Sequence, residues 1–223
     1  MSNRKELARQ IIDACLEMTR LGLNQGTAGN ISVRYGNGML ITPSGMPYEQ
    51  MTEDDIVYVD NDGTFEAGKI PSSEWQFHQA VYEVRPKCNA VVHNHAVNCT
   101  AVAILNKAIP AIHYMIGVTG TNQVPCVPYA TFGTWQLAEY VKEGIAKSKA
   151  ILLQHHGMIA TEVNLAKALW VAHEVEILAT LYLKMLATTP DVPVLPDEEI
   201  QVVLEKFANY GLRVEEKPRC PCC

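Results

Sequence analysis

The chain has 223 residues, of which 48% are hydrophobic, and this is enough for a sizeable core in one large domain. Its net charge is -6 and it lacks a cluster of Lys and Arg with interleaved aromatic residues, so a nucleic-acid partner is not expected. The sequence begins with a polar, amphipathic segment rather than an apolar signal core, and no apolar run is long enough to span a membrane. We therefore expect a cytoplasmic protein without a membrane partner.

Hydrophobic spacing predicts alternating helices and strands. An apolar stripe at helical spacing that starts at Leu7 predicts a first helix ending near Gly22. The next elements are predicted, in chain order, as strands over 31–33, 39–42 and 56–59, a helix over 72–84, a strand around His93, helices over 101–105 and 134–147, a strand around Ile151, and helices over 164–185 and 196–210.

The early strands are predicted to form hairpins, because tight-turn residues such as Gly36-Asn37-Gly38 separate them. This pattern favours an α/β (α+β) three-layer fold, with a central, mainly antiparallel sheet flanked by helices. The strand and helix spacing of a dinucleotide-binding fold is missing.

Two histidines of an apolar run, His93 and His95, predict a metal site. If the run is a strand, both rings lie on the same face. Two neighbouring imidazoles are costly to bury without a metal or an acid. Further donors are Glu74 upstream and the step His155-His156 after a second apolar segment. Three imidazoles and one carboxylate suit zinc, and the residues alone leave open which histidine of the step is the third ligand.

The remaining histidines in apolar surroundings are interpreted as structural. A lone histidine in an apolar stretch is more often a core residue with one hydrogen bond than a metal ligand. We interpret His78, His113 and His173 in this way, because nothing near them in the sequence indicates a site.

Three segments rich in glycine and hydroxyl residues, 26–30, 42–45 and 71–74, lie at the ends of predicted elements. Ser73 and Gln76 have the spacing of a capping box, which predicts a helix N-terminus. Such a terminus favours an anion such as phosphate. Each segment alone is more often an ordinary turn or cap. Together with a metal site, they indicate a pocket for a small phosphorylated molecule whose other end meets the metal.

Five motifs together resemble the motif set of the class II aldolase/epimerase family. They are Gly26-Thr27-Ala28-Gly29-Asn30, Thr42-Pro43-Ser44-Gly45, Ser72-Ser73-Glu74, His93-Asn94-His95 and Gln154-His155-His156-Gly157. The resemblance extends from the first helix to residues 212–215. It implies a central, mainly antiparallel sheet and a homotetramer of four-fold symmetry with active sites shared between subunits. It also implies one Zn²⁺ per chain, bound by Glu74, His93, His95 and His156.

The resemblance implies further site residues. A phosphate subsite would consist of Gly29, Asn30, Ser44, Gly45, Ser72 and Ser73. Ser44 stands where the family more often has Thr, which keeps the hydroxyl group. The residues that would hold the aldehyde or assist the transition state, some of them from a neighbouring subunit, are Thr27, Tyr114, Phe132 and Tyr210. Glu74 would be the catalytic base and Tyr114 a proton donor.

The implied reaction is the reversible cleavage of L-fuculose 1-phosphate, or a related ketose 1-phosphate, to dihydroxyacetone phosphate and L-lactaldehyde. Within the family, 4-epimerisation of L-ribulose 5-phosphate and dehydration of a thio-sugar phosphate are alternatives, and Tyr210 with Arg213 favours the aldolase. A metal-free, adducin-like interaction module would be expected to have lost the histidines. A Schiff-base aldolase would need a lysine in the apolar, motif-bearing strands, which have none.

We expect residues 1–216 to form a single class II aldolase-type domain and residues 217–223 to form a disordered, Cys-rich tail. The tail has no counterpart in the family pattern, so no role is assigned to Cys220, Cys222 and Cys223. The other four cysteines lie in apolar segments and are expected to be reduced core residues: Cys15, Cys88, Cys99 and Cys126.

Overall fold

The computed structural model describes residues 3–207 of the chain. The helices of this part are α1 (Arg4–Arg20), α2 (Trp75–Val84), α3 (Val97–Ile104), α4 (Trp135–Ile145), α5 (Leu165–Leu186) and α6 (Asp197–Phe207). The strands are β1 (Asn30–Tyr35), β2 (Gly38–Ile41), β3 (Val57–Asp60), β4 (Ala90–Asn94), β5 (Cys126–Val127), β6 (Ala150–Leu153) and β7 (Gly157–Glu162). Two short 3₁₀ segments span Tyr48–Gln50 and Tyr114–Thr119. The predicted tail at 217–223, Tyr210 and Arg213 lie outside the described residues.

The strands form one sheet in the order β3-β2-β1-β4-β7-β6-β5. Five of the strand pairs are antiparallel, and only β5 pairs with β6 in parallel. The expected central, mainly antiparallel sheet is therefore confirmed. Strands β5 and β7 are not predicted from the sequence, because β5 has only 2 residues and β7 follows the His155-His156 step without a clear boundary.

Helices cover both faces of the sheet. Successive side chains of β4 alternate between two apolar clusters: Ala90 and Val92 pack with α1, α3 and α5, whereas Val91 packs with α2 and α4. The arrangement is thus helix, sheet, helix, as the three-layer prediction requires. Because His93 follows the same alternation as Val91, its ring lies on the α2 side and meets Phe77 edge-on at 5.2 Å between ring centroids.

Helix α2 begins later than predicted and lacks the predicted cap. Its N-cap residue is Glu74, with no side-chain hydrogen bond to the helix, so the capping box of Ser73 and Gln76 was a wrong prediction. The Gln76 amide donates instead to the Gly133 carbonyl at 3.2 Å. Ser72 accepts a hydrogen bond from the Glu74 N–H at 3.4 Å, which turns the chain just before the helix. The Glu74 carboxylate therefore takes no part in capping the helix.

Helix α3, which follows the His93-Asn94-His95 segment, is fixed in place by Glu176 of α5. The Glu176 carboxylate accepts from the backbone N–H groups of Asn98 at 3.0 Å and Cys99 at 2.8 Å, and from the Asn98 side chain at 2.7 Å. The N-cap residue Ala96 has no polar side chain for this purpose. A carboxylate from a neighbouring helix therefore sets the direction in which the chain leaves the His93-Asn94-His95 segment.

Two further expectations concern the cysteines and the membrane. Cys15, Cys88 and Cys99 are buried free thiols, as expected, and Cys126 is partly buried. Within residues 3–207, the helices are all too short or too polar to cross a membrane.

Candidate metal centre and substrate pocket

Three histidines converge at one end of the central strands. His93 lies in β4, His95 directly follows that strand, and His156 lies in the turn between β6 and β7. The antiparallel register places Asn94 opposite Met158, so the β6–β7 turn lies beside the end of β4. The ligand nitrogens of the three rings are all within 4.8 Å of one another.

The His93 ring is held in the tautomer that a metal ligand needs. Its Nδ1 lies 2.9 Å from the Met158 carbonyl oxygen, which can only accept, so Nδ1 carries the proton. The lone pair on Nε2 then faces His95, whose Nε2 is 3.1 Å away. Burial lowers the pKa of His93 to about 3 and also lowers the pKa of His95. Both rings are therefore neutral at neutral pH, the form that binds metals.

Glu74 completes the cluster from the start of α2. Its Oε2 lies 3.3 Å from His93 Nε2, and its Oε1 lies 3.2 Å from His156 Nε2. Asn30 donates to Oε2 at 2.8 Å, whereas Oε1 is buried and has no hydrogen-bond partner within residues 3–207. Burial opposes ionisation of this carboxyl, but His93, His156 and Asn30 outweigh it and lower the pKa of Glu74.

The spacing of these donors fits a metal ion. Ligand atoms that share one tetrahedral ion at about 2.0–2.1 Å lie roughly 3.3 Å apart. Three of the donor separations at this centre are 3.1, 3.2 and 3.3 Å, and the ligand nitrogens of the three histidines all lie within 4.8 Å of one another. A cation between these groups would also satisfy the unpaired Glu74 Oε1. The four side chains therefore form a candidate metal centre.

Only one histidine of the His155-His156 step points into the centre. His155 is exposed and has a left-handed backbone conformation with φ 55°, unusual for a residue other than glycine. This turn carries His156 inward, with its ring centroid 4.9 Å from the centroids of both other histidines. Gly157 allows the close approach, because a Cβ there would lie 2.4 Å from the Asn94 carbonyl oxygen.

A cavity of about 330 Å³ opens onto the cluster. Six residues that the sequence predicts as parts of a site line this cavity: Thr27, Ser73, Glu74, His95, Phe132 and His156. Tyr129, which was not predicted, and His155, the other histidine of the step, also line it. A larger cleft of about 570 Å³ lies at the opposite end of β4 and β7, but it contains none of the predicted site residues. The donor groups, not the cavity size, identify the site.

The segments predicted to bind phosphate are tied to one another and to the cluster. The Ser72 N–H donates to the Thr42 carbonyl at 3.0 Å, and the Ser44 N–H donates to the Ile70 carbonyl at 3.1 Å, so Ser44-Gly45 lies beside Ser72-Ser73. Gly29 packs against the backbone of β4, and Asn30 bonds to Glu74.

Two residues that the sequence did not indicate support this arrangement. Tyr48 donates to the Gly29 carbonyl at 2.7 Å and accepts from the Asn24 side chain at 2.9 Å. The Asn24 oxygen accepts from the His95 N–H at 3.4 Å. Burial raises the pKa of Tyr48, so its hydroxyl stays a donor at neutral pH. No local pattern could have found these contacts, because they join separate loops.

Two of the residues predicted to hold the aldehyde or assist the transition state, Tyr114 and Tyr210, are not found among the described residues that line this cavity. Tyr114 starts a 3₁₀ segment, is 48% exposed and does not line the cavity. Tyr210 lies outside the described residues. His78, interpreted from the sequence as structural, is fully buried but contacts Asn30. Its position four residues after Glu74, on the same side of α2, was a signal that could have linked it to the site.

Comparisons with known proteins agree with this geometry. Residues 9–183 match the family described as class II aldolase and adducin N-terminal domain. The chain is 69% identical over 213 residues to the L-fuculose phosphate aldolase of Escherichia coli, covering 96% of this chain and 99% of that protein. It is 59% identical over 210 residues to a 5-methylthioribulose-1-phosphate/5-deoxyribulose-1-phosphate aldolase of another Escherichia coli strain. This match covers 94% of this chain and 99% of that protein. A solved structure of an L-fuculose 1-phosphate aldolase, 35% identical, matches with a TM-score of 0.89 over 93% of this chain and 98% of that one.

The two neighbouring histidines provide a matched test of the metal centre. We expect His156→Ala to weaken metal binding by at least roughly 100-fold, because even the loss of an outer-shell partner costs about 10–100-fold. His155→Asn should keep the metal, since Asn tolerates the left-handed conformation and the His155 ring lies outside the cluster. Competitive metal titration and elemental analysis measure both effects. Equal metal content in the two variants would contradict this placement of the centre.

Proposed function

The chain belongs to the class II aldolase and adducin family, and we propose that it is a zinc-dependent aldolase that reversibly cleaves L-fuculose 1-phosphate to dihydroxyacetone phosphate and L-lactaldehyde. The observation that carries this proposal is the cluster of Glu74 with His93, His95 and His156 beside the cavity. Its support is the 69% identity to the Escherichia coli L-fuculose phosphate aldolase over 96% of this chain.

The proposed metal ligands are Glu74, His93, His95 and His156. Three neutral imidazoles and one carboxylate suit zinc better than magnesium or calcium, which prefer oxygen ligands. When bound there, a zinc ion supplies a Lewis acid for the negative charge that develops on the substrate's oxygen atoms. The Met158 carbonyl keeps the His93 lone pair directed at this position.

Glu74 is the proposed catalytic base. In the direction of synthesis, a proton must leave the carbon next to the carbonyl group of dihydroxyacetone phosphate. The Glu74 Oε1 is buried beside the cavity and has no hydrogen-bond partner among the described residues, so it would be available for this proton when it is not a metal ligand. Asn30 holds the other oxygen and limits rotation of the carboxylate. In the direction of cleavage, the same group returns the proton to carbon.

The phosphate group of the substrate would bind at the segments that meet beside Glu74. We assign this subsite to Gly29, Asn30, Ser44, Gly45, Ser72 and Ser73, of which Ser73 lines the cavity. The N-terminus of α2 follows directly, has no side-chain cap, and carries a partial positive charge that favours an anion.

The part of the substrate that is released as L-lactaldehyde, here called the aldehyde half, would lie against Thr27 and Phe132. Both line the cavity, and the apolar Phe132 ring, which is 64% exposed, suits the methyl group of L-lactaldehyde. Tyr114 is the proposed proton donor to the aldehyde oxygen and Tyr210 a further contact. Since Tyr114 does not line the cavity of its own chain, we infer that a neighbouring subunit of a homotetramer supplies it.

A second candidate substrate class is supported by the aldolase of 5-methylthioribulose 1-phosphate and 5-deoxyribulose 1-phosphate, which is 59% identical to this chain. Cleavage of these ketose 1-phosphates would use the same metal centre and phosphate subsite. The candidates differ in the aldehyde half, where Thr27, Tyr129 and Phe132 line the cavity.

The direct test is to incubate purified, zinc-loaded protein with L-fuculose 1-phosphate and assay dihydroxyacetone phosphate. We expect the product to form, to stop forming with a chelator, and to form again when zinc is restored. The same assay with 5-deoxyribulose 1-phosphate and 5-methylthioribulose 1-phosphate should give lower kcat/KM. A higher kcat/KM with either would assign the chain to the second class. Epimerisation of L-ribulose 5-phosphate without dihydroxyacetone phosphate formation would overturn the aldolase assignment.

Two variants separate the proposed roles of neighbouring residues. Glu74→Gln removes the base but keeps a similar shape, so kcat should fall by about 10²–10⁴-fold with little change in KM. Ser73→Ala removes a hydrogen bond to phosphate worth about 1 kcal/mol, so KM should rise roughly fivefold with kcat nearly unchanged. Steady-state kinetics at matched zinc content measure both. Similar changes of KM alone in the two variants would remove Glu74 from the catalytic role.

Subunit mixing tests the shared site. The exposed aromatic side chains of Tyr114, Tyr129, Phe132 and Trp135 suit an interface between copies of the chain. We expect light scattering to give a tetramer. Glu74→Gln and Tyr114→Ala protein, each weakly active, should regain activity when mixed and allowed to exchange subunits, because some hybrid sites then combine two intact residues. Full activity of a monomer, or no gain on mixing, would contradict a site completed by Tyr114 of a neighbour.

A further inference from the structure

A buried row of polar side chains extends from Glu74 away from the cavity. Asn30 donates through Nδ2 to Glu74 Oε2 at 2.8 Å, and its Oδ1 lies 2.6 Å from His78 Nε2. On the other side of the ring, His78 Nδ1 lies 2.7 Å from Ser32 Oγ. Ser32 Oγ lies in turn 2.8 Å from the Tyr82 hydroxyl. All five side chains are buried, and none of the roles above uses His78.

The row follows from two periodicities of the sequence. Glu74, His78 and Tyr82 are spaced four residues apart and so lie on one side of α2. Asn30 and Ser32 are two residues apart in β1 and so point to the same face of the sheet. Where this side of α2 packs on β1, side chains from the helix and from the strand alternate along the row. Together they form one continuous set of hydrogen bonds.

The ionised Glu74 fixes the direction of every bond in the row. A carboxylate can only accept, so Asn30 must turn its amide nitrogen to Glu74 and its oxygen to His78. That oxygen can also only accept, and His78 must therefore carry its proton on Nε2. Ser32 then donates to the unprotonated Nδ1, and Tyr82 donates to Ser32. If every hydrogen bond of the row ran in the opposite direction, the Asn30 oxygen would face the Glu74 carboxylate, and two acceptors would meet.

The surroundings of His78 suit a ring with one donor and one acceptor. The side chain has no exposed surface, and its ring stacks on Phe77 at 4.8 Å between centroids. Burial lowers the pKa of His78 to about 3, so the ring is neutral at neutral pH. A protonated ring would have two donors, and Ser32 would have to reverse its bond.

We propose that His78 is a positioning residue, which fixes the Asn30 amide with Nε2–H and through it the orientation of the Glu74 carboxylate. Without this donor, the Asn30 amide is free to rotate and to bring its oxygen towards Glu74, which repels the carboxylate from its place beside His93. The effect on catalysis rests on the proposed function, whereas the tautomer of His78 does not.

The first test is spectroscopic and uses the unchanged, zinc-loaded protein. Histidine ring ¹⁵N shifts distinguish the two neutral tautomers from the protonated ring, and His78→Gln identifies the His78 signals by their loss. If that variant does not fold, neutron diffraction from crystals of the unchanged protein locates the ring protons directly. We expect the neutral Nε2–H form throughout the range of about pH 6 to 8. An Nδ1–H or a doubly protonated ring would overturn the proposal.

The second test compares two substitutions of His78. The Gln amide nitrogen can take the place of Nε2–H, whereas Leu fills the volume without a donor. His78→Leu should lower kcat by about 10–100-fold, the usual cost of losing a partner of a metal ligand, with a change in KM below about threefold. His78→Gln should restore kcat to within about fivefold of the unchanged protein.

Controls separate positioning from general damage. His173 lies half-buried on α5 away from the cluster, so His173→Gln should leave kcat unchanged. Melting temperature and zinc content are measured for each variant. Equal kcat in His78→Leu and the unchanged protein, equal losses in the Leu and Gln variants, or losses that follow zinc content would overturn the proposal. If the unchanged protein does not cleave ketose 1-phosphates, the proposed function fails while the tautomer still decides the role of His78.

Discussion

The antiparallel pairing of β4 with β1 and β7 is the constraint on which the candidate site depends. It places His93 opposite Asn30 on one side and Ile159 on the other. A slip of one residue in either pair would turn the side chains to the opposite face and separate the donors. The close fit also depends on glycine, because a Cβ at Gly29 would lie 2.7 Å from the His93 carbonyl oxygen. Metal donors, phosphate segments and cavity all lie at this one end of the sheet.

A single buried carboxylate organises the polar groups around this end. Buried polar atoms need partners, and a carboxylate needs donors or cations. Glu74 has Asn30 at one oxygen, and its other oxygen, which has no hydrogen-bond partner, lies 3.2 Å from His156 Nε2. The same charge sets the direction of the hydrogen bonds that continue through Asn30 to His78. The proposed metal centre and the buried row therefore both include the Glu74 carboxylate.

The segments around the candidate metal centre are held firmly, whereas part of the cavity lining consists of exposed residues. Backbone contacts hold the segments around Gly29, Ser44 and Ser72, whereas exposed residues such as Tyr129 and Phe132 line the cavity. Relatives of this chain are named as aldolases of different sugar phosphates, and loops are where proteins of one fold usually differ in what they bind. The family resemblance that the motifs predicted is confirmed by the match over residues 9–183.

The sequence by itself determined the kinds of donor, the proximity of His93 and His95, and the mainly antiparallel sheet, because these follow from periodicity and residue chemistry. From the residues alone it could not choose between His155 and His156. In the structure, the turn after β6, with His155 at φ 55°, carries His156 rather than His155 into the cluster. It also gave no sign of Asn24 and Tyr48, and it left His78 as an ordinary core residue. Contacts between elements far apart in the chain decide such roles, and local spacing alone gives only the side of α2 on which His78 lies.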